Sequence, residues 1–375
     1  MDPGPRGDPA TGGGDGVKRY GHGLVLGKFY PPHAGHHHLV RTALDRCDRL
    51  TVLVCASSAE SVPLEERVAW MREVHPEALV VGAVDDHPVD LHDPDVWEAH
   101  MRVFRAAVPE RVDAVFTSEP YGGELGRRFG ADSVAVDPDR VRFPVSGTAV
   151  RADPAGCWDF LEAPVRAALT RRVVVLGAES TGTTTMALAL ADHYRRRGGV
   201  WARTRYVPEY GREYSELKLA ELRAERPGAT WSDVVFRSSD FPVIAQRQAE
   251  LEEEAARDGS PVLVCDTDAF ATTIWHERYM ATTSADTGEI AARGRQHLWL
   301  LTDHRGVDFE DDGLRDGEHL RPWMTARFLT QLAHSGRRTV VLTGPHEERL
   351  ATAVAAVDAL LAEGPRLTDP LPERR

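Results

Sequence analysis

The amino-acid sequence predicts an α/β protein made of two parallel-sheet units that follow one another along the chain. Short apolar runs alternate with helix-length segments from Gly23 onward, and a second series of the same kind begins at Arg172. The first strand of each series runs into a glycine-containing loop. Because neighbouring parallel strands need crossover helices, this rhythm predicts two sheets covered by helices.

Length and composition agree with two soluble domains. The 375 residues fit two units of roughly 150 residues each. Hydrophobic residues make up 42% and charged residues 27%, which is typical of globular proteins. The net charge of −13 argues against DNA or RNA as a partner, because phosphate neutralisation needs clustered Lys and Arg.

Cysteine usage and hydropathy predict the compartment. The four cysteines form no CxxC pair, which favours a reducing cytoplasm, and no run of eighteen apolar residues predicts a membrane span. We therefore expect a cytoplasmic protein without a membrane partner. The sequence does not decide whether the chain forms a homo-oligomer.

The strands set the expected domain boundaries. The predicted strands cover residues 24–29, 51–55, 78–84 and 113–118 in the first series, and residues 172–177, 261–266, 297–302 and 338–344 in the second. A helix-like segment ends just before the second series. We expect a disordered tail at 1–18, a first domain at 19–168, a second domain at 169–363 and a C-terminal tail at 364–375.

The turn after the first strand predicts a phosphate site. Gly27, Phe29, His33, Gly35 and His36 follow the spacing GxFxPxHxGH between a strand and a helix. Backbone amides at a helix start favour anions, and the imidazoles add donors there. A metal site in the run of histidines 36–38 is the alternative, although neither a cysteine nor a carboxylate follows at a familiar ligand spacing.

A second motif lies downstream, where Ser146, Thr148 and Arg151 follow the spacing Ser-x-Thr-x-x-Arg. Ser146 can cap a helix, and Arg151 offers a cationic fork for phosphates. The ordered pair of motifs resembles the HxGH superfamily of nucleotidyltransferases and its Rossmann-like fold. The resemblance implies that His33, His36 and Lys28 stabilise the phosphates of ATP, with Mg²⁺, while a substrate phosphate attacks the α-phosphorus.

The loop after the first strand of the second series resembles a P-loop. A P-loop has the pattern GxxxxGK[ST], and Thr183 stands here where that pattern has lysine. Thr184 keeps the hydroxyl that ligates Mg²⁺. The predicted nucleotide-binding residues are Gly177, Ala178, Glu179, Ser180, Thr181, Gly182, Thr183, Thr184 and Thr185.

Other residues of the second half complete a kinase-like set. Asp266 ends an apolar strand, where a Walker B carboxylate holds Mg²⁺ or its water. Glu209 suits the recognition of a substrate hydroxyl. Arg315 and Arg321 lie in a polar stretch typical of a lid over phosphates, and either of them or Arg212 can replace the missing lysine charge.

The order of these motifs from Tyr20 to Leu361 resembles the NadR-type bifunctional proteins of NAD biosynthesis. The resemblance implies a nicotinamide mononucleotide adenylyltransferase followed by a ribosylnicotinamide kinase, with ATP as substrate. Some members carry a helix-turn-helix repressor domain, for which there is no room before Lys18. We therefore expect no DNA-binding regulator.

Two alternatives stay open. The second domain is a nucleotide-binding regulatory module if Thr183 abolishes the kinase, which leaves a single-activity adenylyltransferase. The HxGH fold also serves other adenylyl and cytidylyl transfers. Trp70 and Trp97 either stack a substrate ring or belong to the core, and the sequence does not identify the base pocket.

Overall fold

The computed structural model describes residues 19–310 and 317–374. These residues form two compact units. The first contains residues 19–30, 34–144 and 368–374, and the second contains residues 31–33, 145–310 and 317–367. None of the described helices combines the length and the apolar character that crossing a membrane requires.

The first unit is built on a five-stranded parallel sheet in the order β3-β2-β1-β5-β6. Its elements are β1 (Tyr20–Gly27), α1 (Ala34–Arg46), β2 (Cys47–Ala56), α2 (Leu64–Val74), β3 (Leu79–Val84), β4 (Val89–Asp90), α3 (Pro94–Ala107), β5 (Ala114–Thr117), α4 (Gly122–Phe129) and β6 (Asp132–Ala135). The chain builds outward from β1 through β2 to β3 and then resumes on the other side with β5. The topological switch point therefore lies beside β1, where α/β sheets bind ligands.

Burial explains why β1 is the central strand. Leu24 and Val25 are fully buried on opposite faces, in two separate apolar clusters. Successive side chains of a strand point to opposite faces, so a strand covered by helices on both sides must be apolar throughout. The strand ends at Gly27, and the predicted residues 28 and 29 lie in the following turn.

The second unit repeats this plan with a parallel sheet in the order β11-β10-β7-β9-β8. Its elements are α5 (Gly147–Ala152), α6 (Ala163–Leu169), β7 (Arg171–Gly177), α7 (Thr183–Arg195), β8 (Arg205–Val207), α8 (Tyr210–Glu225), α9 (Asp240–Asp258), β9 (Val262–Asp266), α10 (Ala269–Met280), α11 (Ala285–Ala292), β10 (Leu298–Thr302), α12 (Arg321–His334), β11 (Thr339–Leu342) and α13 (His346–Ala362). The glycine-containing loop follows β7, which lies between β9 and β10. The predicted α/β class is confirmed in both halves.

The segment before β7 packs differently from the sequence prediction. Residues 145–168, predicted to belong to the first domain, lie in the second unit. Helix α6 packs against α9, and the buried Trp158 donates its Nε1 hydrogen to the carbonyl of Gly259 at 2.9 Å. Their side chains thus contribute to the core that covers the second sheet.

The end of the described chain also differs from the expected tail. Residues 368–374 belong to the first unit, where a short strand, β12 (Glu373–Arg374), pairs in parallel with β4. The amide of Leu91 donates to the carbonyl of Arg374 at 3.0 Å. A strand of two residues is too short to show an alternating pattern, and its partner lies far away in the sequence. Sequence patterns therefore did not reveal this pairing.

Candidate active sites

The turn after β1 is held in a strained conformation. Phe29 has a φ of 45°, in the region that side chains with a Cβ rarely adopt, and it is 1% exposed. The guanidinium of Arg67 donates to the carbonyl of Lys28 at 3.1 Å and forms a fully buried ion pair with Glu60 at 2.6 Å. Buried contacts thus fix the backbone of the turn.

The three consecutive histidines of α1 have different surroundings. The His36 ring packs edge-on to Phe29, with 5.0 Å between ring centroids. His37 is fully buried and exchanges a hydrogen bond of 2.9 Å with His75. The ring of His38 lies 5.4 Å from that of Phe143. The three imidazole rings do not meet at one point, which argues against the metal alternative. His36 is the one of the three whose ring packs against the turn after β1.

A group of side chains close enough together to hold a metal ion occurs elsewhere in the first unit. Among the residues that the structure describes, Asp85, His87 and His100 form a group whose ligand atoms lie within 4.8 Å of one another. The Asp85 carboxylate accepts hydrogen bonds from both imidazoles, at 2.8 Å and 2.6 Å. These hydrogen bonds account for the arrangement of the three side chains without a metal.

The second motif of the first site forms the predicted helix start. Ser146 precedes α5, and its hydroxyl accepts a hydrogen bond from the amide of Ala149 at 3.1 Å, as expected of an N-cap. Arg151 donates to the hydroxyl of Thr148 at 3.2 Å. His33, Ser146, Thr148 and Arg151 belong to the second unit, whereas Gly27, Lys28, Phe29, Gly35 and His36 belong to the first.

The loop after β7 approaches its neighbours closely. A Cβ on Gly177 would collide with the hydroxyls of Thr302 and Thr181, so only glycine fits there. Those two hydroxyls hydrogen bond at 2.6 Å, and Thr181 also donates to the carbonyl of Ala178 at 2.7 Å. Gly182 has a φ of 83° and precedes α7, as the turn into that helix requires.

Asp266 lies at the end of β9 beside the start of α7. The Thr184 hydroxyl donates to its carboxylate at 2.5 Å, and the Tyr206 hydroxyl does so at 3.2 Å. Burial raises the pKa of Asp266, against the lowering effect of these hydrogen bonds and of one from Thr183. A buried carboxylate next to the Thr184 hydroxyl offers the oxygen donors that suit Mg²⁺.

The P-loop residues Glu179 and Ser180 contact the segment around the predicted lid. Glu179 forms an ion pair with Arg278 and accepts a hydrogen bond from the amide of Gly317 at 2.9 Å. The Ser180 hydroxyl donates to the carbonyl of Glu310 at 2.9 Å and accepts from the amide of the same residue at 3.0 Å. These contacts fix both ends of the segment from 310 to 317.

The structure corrects the role expected for Arg321. Its side chain is buried, and Nη2 donates to the carbonyls of Ser180, His304 and Val307 at 3.3, 3.1 and 2.9 Å. It thus ties the loop to the backbone after β10 instead of covering phosphates. Arg315 lies outside the described residues.

A cavity of about 420 Å³ opens at the carboxyl end of the second sheet. Predicted residues among its lining are Gly177, Ala178, Glu179, Ser180, Thr183, Thr184, Glu209, Arg212 and Asp266. Thr181, Gly182 and Thr185 are not part of this lining. Arg212, Thr183 and Thr184 therefore face the same cavity as the buried carboxylate of Asp266.

Sequence reasoning missed the aromatic wall of this cavity. Tyr206, Phe236, Phe241, Trp275 and Tyr279 all line it. The rings of Trp275 and Tyr279 stack at 6.3 Å, and those of Phe236 and Tyr279 lie 5.2 Å apart. The spacing of four residues between Trp275 and Tyr279 places both on one face of α10, a signal that the sequence did contain. Such a wall suits a flat ring.

The two tryptophans for which the sequence left ring stacking and the core open lie in the core of the first unit. Trp70 is 5% exposed and Trp97 is 7% exposed. The indole of Trp97 donates to the carbonyl of Leu91 at 3.1 Å. Burial of this extent supports the core alternative for both residues.

Two family matches cover most of the chain. The Cytidylyltransferase-like family matches residues 24–153, and the family described as AAA domain matches residues 172–349. The first match contains both motifs of the first site, and the second contains the P-loop and Asp266. The matches thus follow the motif order of the sequence.

A relative that matches over most of this chain is named as a NAD biosynthesis protein. The Trifunctional NAD biosynthesis/regulator protein NadR of Escherichia coli (strain K12) is 26% identical over 276 residues, which are 68% of this chain and 62% of that protein. The chain thus spans less than two thirds of this relative. The Nicotinamide-nucleotide adenylyltransferase of Aeropyrum pernix is 40% identical over 63 residues, 17% of this chain and 36% of that protein.

Solved structures share the fold over nearly the whole chain. A NadR protein in complex with NR superposes with a TM-score of 0.68 at 22% identity, covering 91% of this chain and 96% of that one. A NadR protein in complex with NAD and AMP-PNP gives a TM-score of 0.66 at 21% identity, covering 91% and 97%. The resemblance predicted from the motifs is confirmed at the level of fold and domain order, which this chain shares with these NadR structures.

Proposed function

We propose that the chain carries out two successive reactions of NAD biosynthesis. The first site transfers the adenylyl group of ATP to nicotinamide mononucleotide, which gives NAD and pyrophosphate. The second site phosphorylates nicotinamide riboside with ATP, which gives nicotinamide mononucleotide. The product of the second reaction is therefore the substrate of the first.

The fixed turn after β1 carries the adenylyltransferase proposal. A phosphate oxygen of the mononucleotide attacks the α-phosphorus of ATP, and the bond to pyrophosphate breaks on the opposite side. Lys28 places a positive charge, and His36 a ring donor, where the leaving phosphates gain charge. The buried Arg67 that holds the turn keeps these donors in place, so their orientation costs little during the reaction.

The decisive variant for the first site is His36→Ala. Removing one donor to the developing charge should lower kcat of NAD formation about a hundredfold or more. His38→Ala is the matched control, because this residue belongs to the same run but packs against Phe143. Near-normal turnover of His36→Ala, with melting temperature unchanged, would exclude the assigned role.

The Thr184 and Asp266 pair carries the kinase proposal. Its oxygen donors fit Mg²⁺, which when bound neutralises phosphate charge. The loop amides position the phosphates, Glu209 accepts a hydrogen bond from a ribose hydroxyl, and the aromatic wall holds the pyridine ring. The 5′-hydroxyl of the riboside then attacks the γ-phosphorus, and the bond to ADP breaks.

Asp266→Ala tests the second site. It should abolish phosphorylation of nicotinamide riboside and leave NAD formation from the mononucleotide intact. Asp258→Ala, which removes an exposed carboxylate at the end of α9, is the control. Loss of both activities in Asp266→Ala without loss of folding would contradict separate sites.

Thr183 supports one second candidate, a nucleotide-binding regulatory module in place of the kinase. Arg212 is the basic residue among the described lining of the cavity, and its side chain is about half exposed. Saturable ATP binding with no riboside phosphorylation at saturating Mg²⁺ would favour the module. Turnover that depends on Asp266 favours the kinase.

A further inference from the structure

The segment of residues 368–374, here called the C-terminal strap, is attached to the first unit at both of its ends. At the far end, β12 pairs with β4, and Arg374 lies 3.6 Å from the carboxylate of Asp90. The amide of Leu91 donates to the carbonyl of Arg374 at 3.0 Å. The strap therefore pairs with β4, the short strand that follows β3 along the chain.

The near end of the strap contacts Tyr30, in the turn after β1. The Tyr30 hydroxyl donates to the carbonyl of Thr368 at 2.9 Å. The amide of Thr368 donates to the hydroxyl of Ser61 at 3.1 Å, and the amide of Ser61 donates to the hydroxyl of Thr368 at 3.0 Å. The ring of Tyr30 in turn lies 4.3 Å below the guanidinium of Arg67, which holds the turn.

At its far end the strap also places a carboxylate beside Lys28. The Oε1 atom of Glu373 lies 3.1 Å from the Nζ atom of Lys28, and the two side chains are 29% and 31% exposed. Lys28 follows directly after the central strand, at the switch point of the sheet. A carboxylate there holds the cation by the same charge attraction that a phosphate would use.

We propose that the C-terminal strap is an autoinhibitory device in which Glu373 competes with the phosphates of ATP for Lys28. The inference rests on the proposed adenylyl transfer. In the closed state the carboxylate neutralises Lys28, so ATP must displace Glu373 before its phosphates reach the ammonium group. A partly exposed ion pair is weak enough to be displaced by a ligand that carries several charges.

The competition predicts a specific split of kinetic parameters. Glu373→Gln removes the competing charge and should lower KM for ATP about two- to fivefold, the range expected of such an ion pair, with kcat unchanged. The difference should shrink at high salt, because salt already screens the pair in the wild type. Glu363→Gln, which breaks an ion pair with Arg338 in the second unit, should change neither parameter.

Two measurements do not depend on turnover. Calorimetry with inorganic tripolyphosphate should give a lower Kd for Glu373→Gln than for the wild type; any binding in the second unit is common to both proteins and cancels in the comparison. Hydrogen exchange should show that a non-hydrolysable ATP analogue speeds exchange of the Leu91 amide, since its acceptor belongs to the strap. The amides of β2 serve as internal controls.

The outcomes distinguish a failure of the autoinhibition proposal from a failure of the proposed adenylyl transfer. An unchanged or higher KM in Glu373→Gln, or slower exchange at Leu91 with the analogue, would overturn autoinhibition and indicate that the strap assists binding. Truncation after Leu367 should reproduce the Glu373→Gln effect if the variant folds. If the wild type forms no NAD, the proposed reaction fails, and the tripolyphosphate affinities still decide whether Glu373 competes with phosphate.

Discussion

Restoring the P-loop lysine is the sharpest test of the second site. Thr183 is the first residue of α7, it lines the cavity, and its hydroxyl contributes to lowering the pKa of the buried Asp266. The change Thr183→Lys places an ammonium group at the same helix start. That group can reach phosphates in the cavity, and it also offsets part of the cost of burying the Asp266 carboxylate.

The expected gain follows from the strength of a charged hydrogen bond. Such a bond contributes roughly 1.5–3 kcal/mol. If it forms in the transition state, it raises kcat/KM about ten- to a hundredfold, because each 1.36 kcal/mol is roughly a factor of ten in rate. The same attraction should lower the pKa of Asp266, which burial now raises.

A double-mutant cycle with Arg212 identifies what replaces the lysine in the natural chain. We expect Arg212→Ala to lower riboside phosphorylation strongly in the wild-type background and only slightly in the Thr183→Lys background. Non-additivity of this kind indicates that the two cations serve one phosphate group. Arg223→Ala, on the same helix as Arg212 and outside the cavity lining, controls for loss of charge.

Equal activity of Thr183→Lys and the wild type, with equal melting temperatures, would refute this reasoning. It would mean that the position does not meet a transferring phosphate, and the regulatory module would then be the better interpretation. A strictly additive cycle would show that Arg212 acts elsewhere.

Three further predictions concern stability. Burial, reinforced by the nearby charge of Asp268, raises the pKa of Glu252 to about 8. The folded state therefore keeps a proton that the unfolded state loses, and the free energy of unfolding should fall as the pH rises from about 4.5 to 8. Glu252→Gln should remove that fall, measured as the melting temperature against pH. Gly177→Ala should destabilise the second unit by about 1–3 kcal/mol in urea denaturation, because its Cβ meets the Thr302 hydroxyl; an unchanged midpoint would contradict that packing. Trp158→Phe leaves the carbonyl of Gly259 without its indole donor and should cost about 1–3 kcal/mol by the same measurement, and a smaller loss would mean that water replaces the donor.

The residues recovered from sequence share a local signal. Apolar runs of strand length and glycine-containing turns mark β1, β2, β7 and β9, because buried parallel strands must be apolar along their whole length. Asp266 is the last residue of β9 and His36 lies in the first turn of α1, so the position of each is fixed by the chain immediately before it. Local chemistry alone was therefore enough to place them at a sheet edge.

The residues that sequence reasoning misplaced or missed depend on distant partners. Arg321 reads as a lid cation, and only the folded chain shows that three backbone carbonyls surround it. The strand β12 exists only because β4 lies beside it. His37 is indistinguishable in sequence from His36, and its buried partner His75 lies at the end of another helix. No single-sequence pattern encodes such pairings.

Backbone strain gives an independent reason to place chemistry at these loops. Phe29, Ser180 and Thr267 have φ values of 45°, 53° and 73°, although none of them is a glycine. Each costs of the order of 1–3 kcal/mol and persists only where surrounding contacts hold it. Those contacts are present: Phe29 is buried, Ser180 forms two hydrogen bonds with Glu310, and the amide of Thr267 donates to the carbonyl of Val175 at 2.8 Å.

All three residues lie in the loops that follow the carboxyl ends of β1, β7 and β9. Asp137, Arg140 and Ala281 also have positive φ, so strain alone does not mark a ligand site. At Phe29, Ser180 and Thr267 it coincides with the carboxyl ends of buried strands, which is where α/β sheets bind ligands.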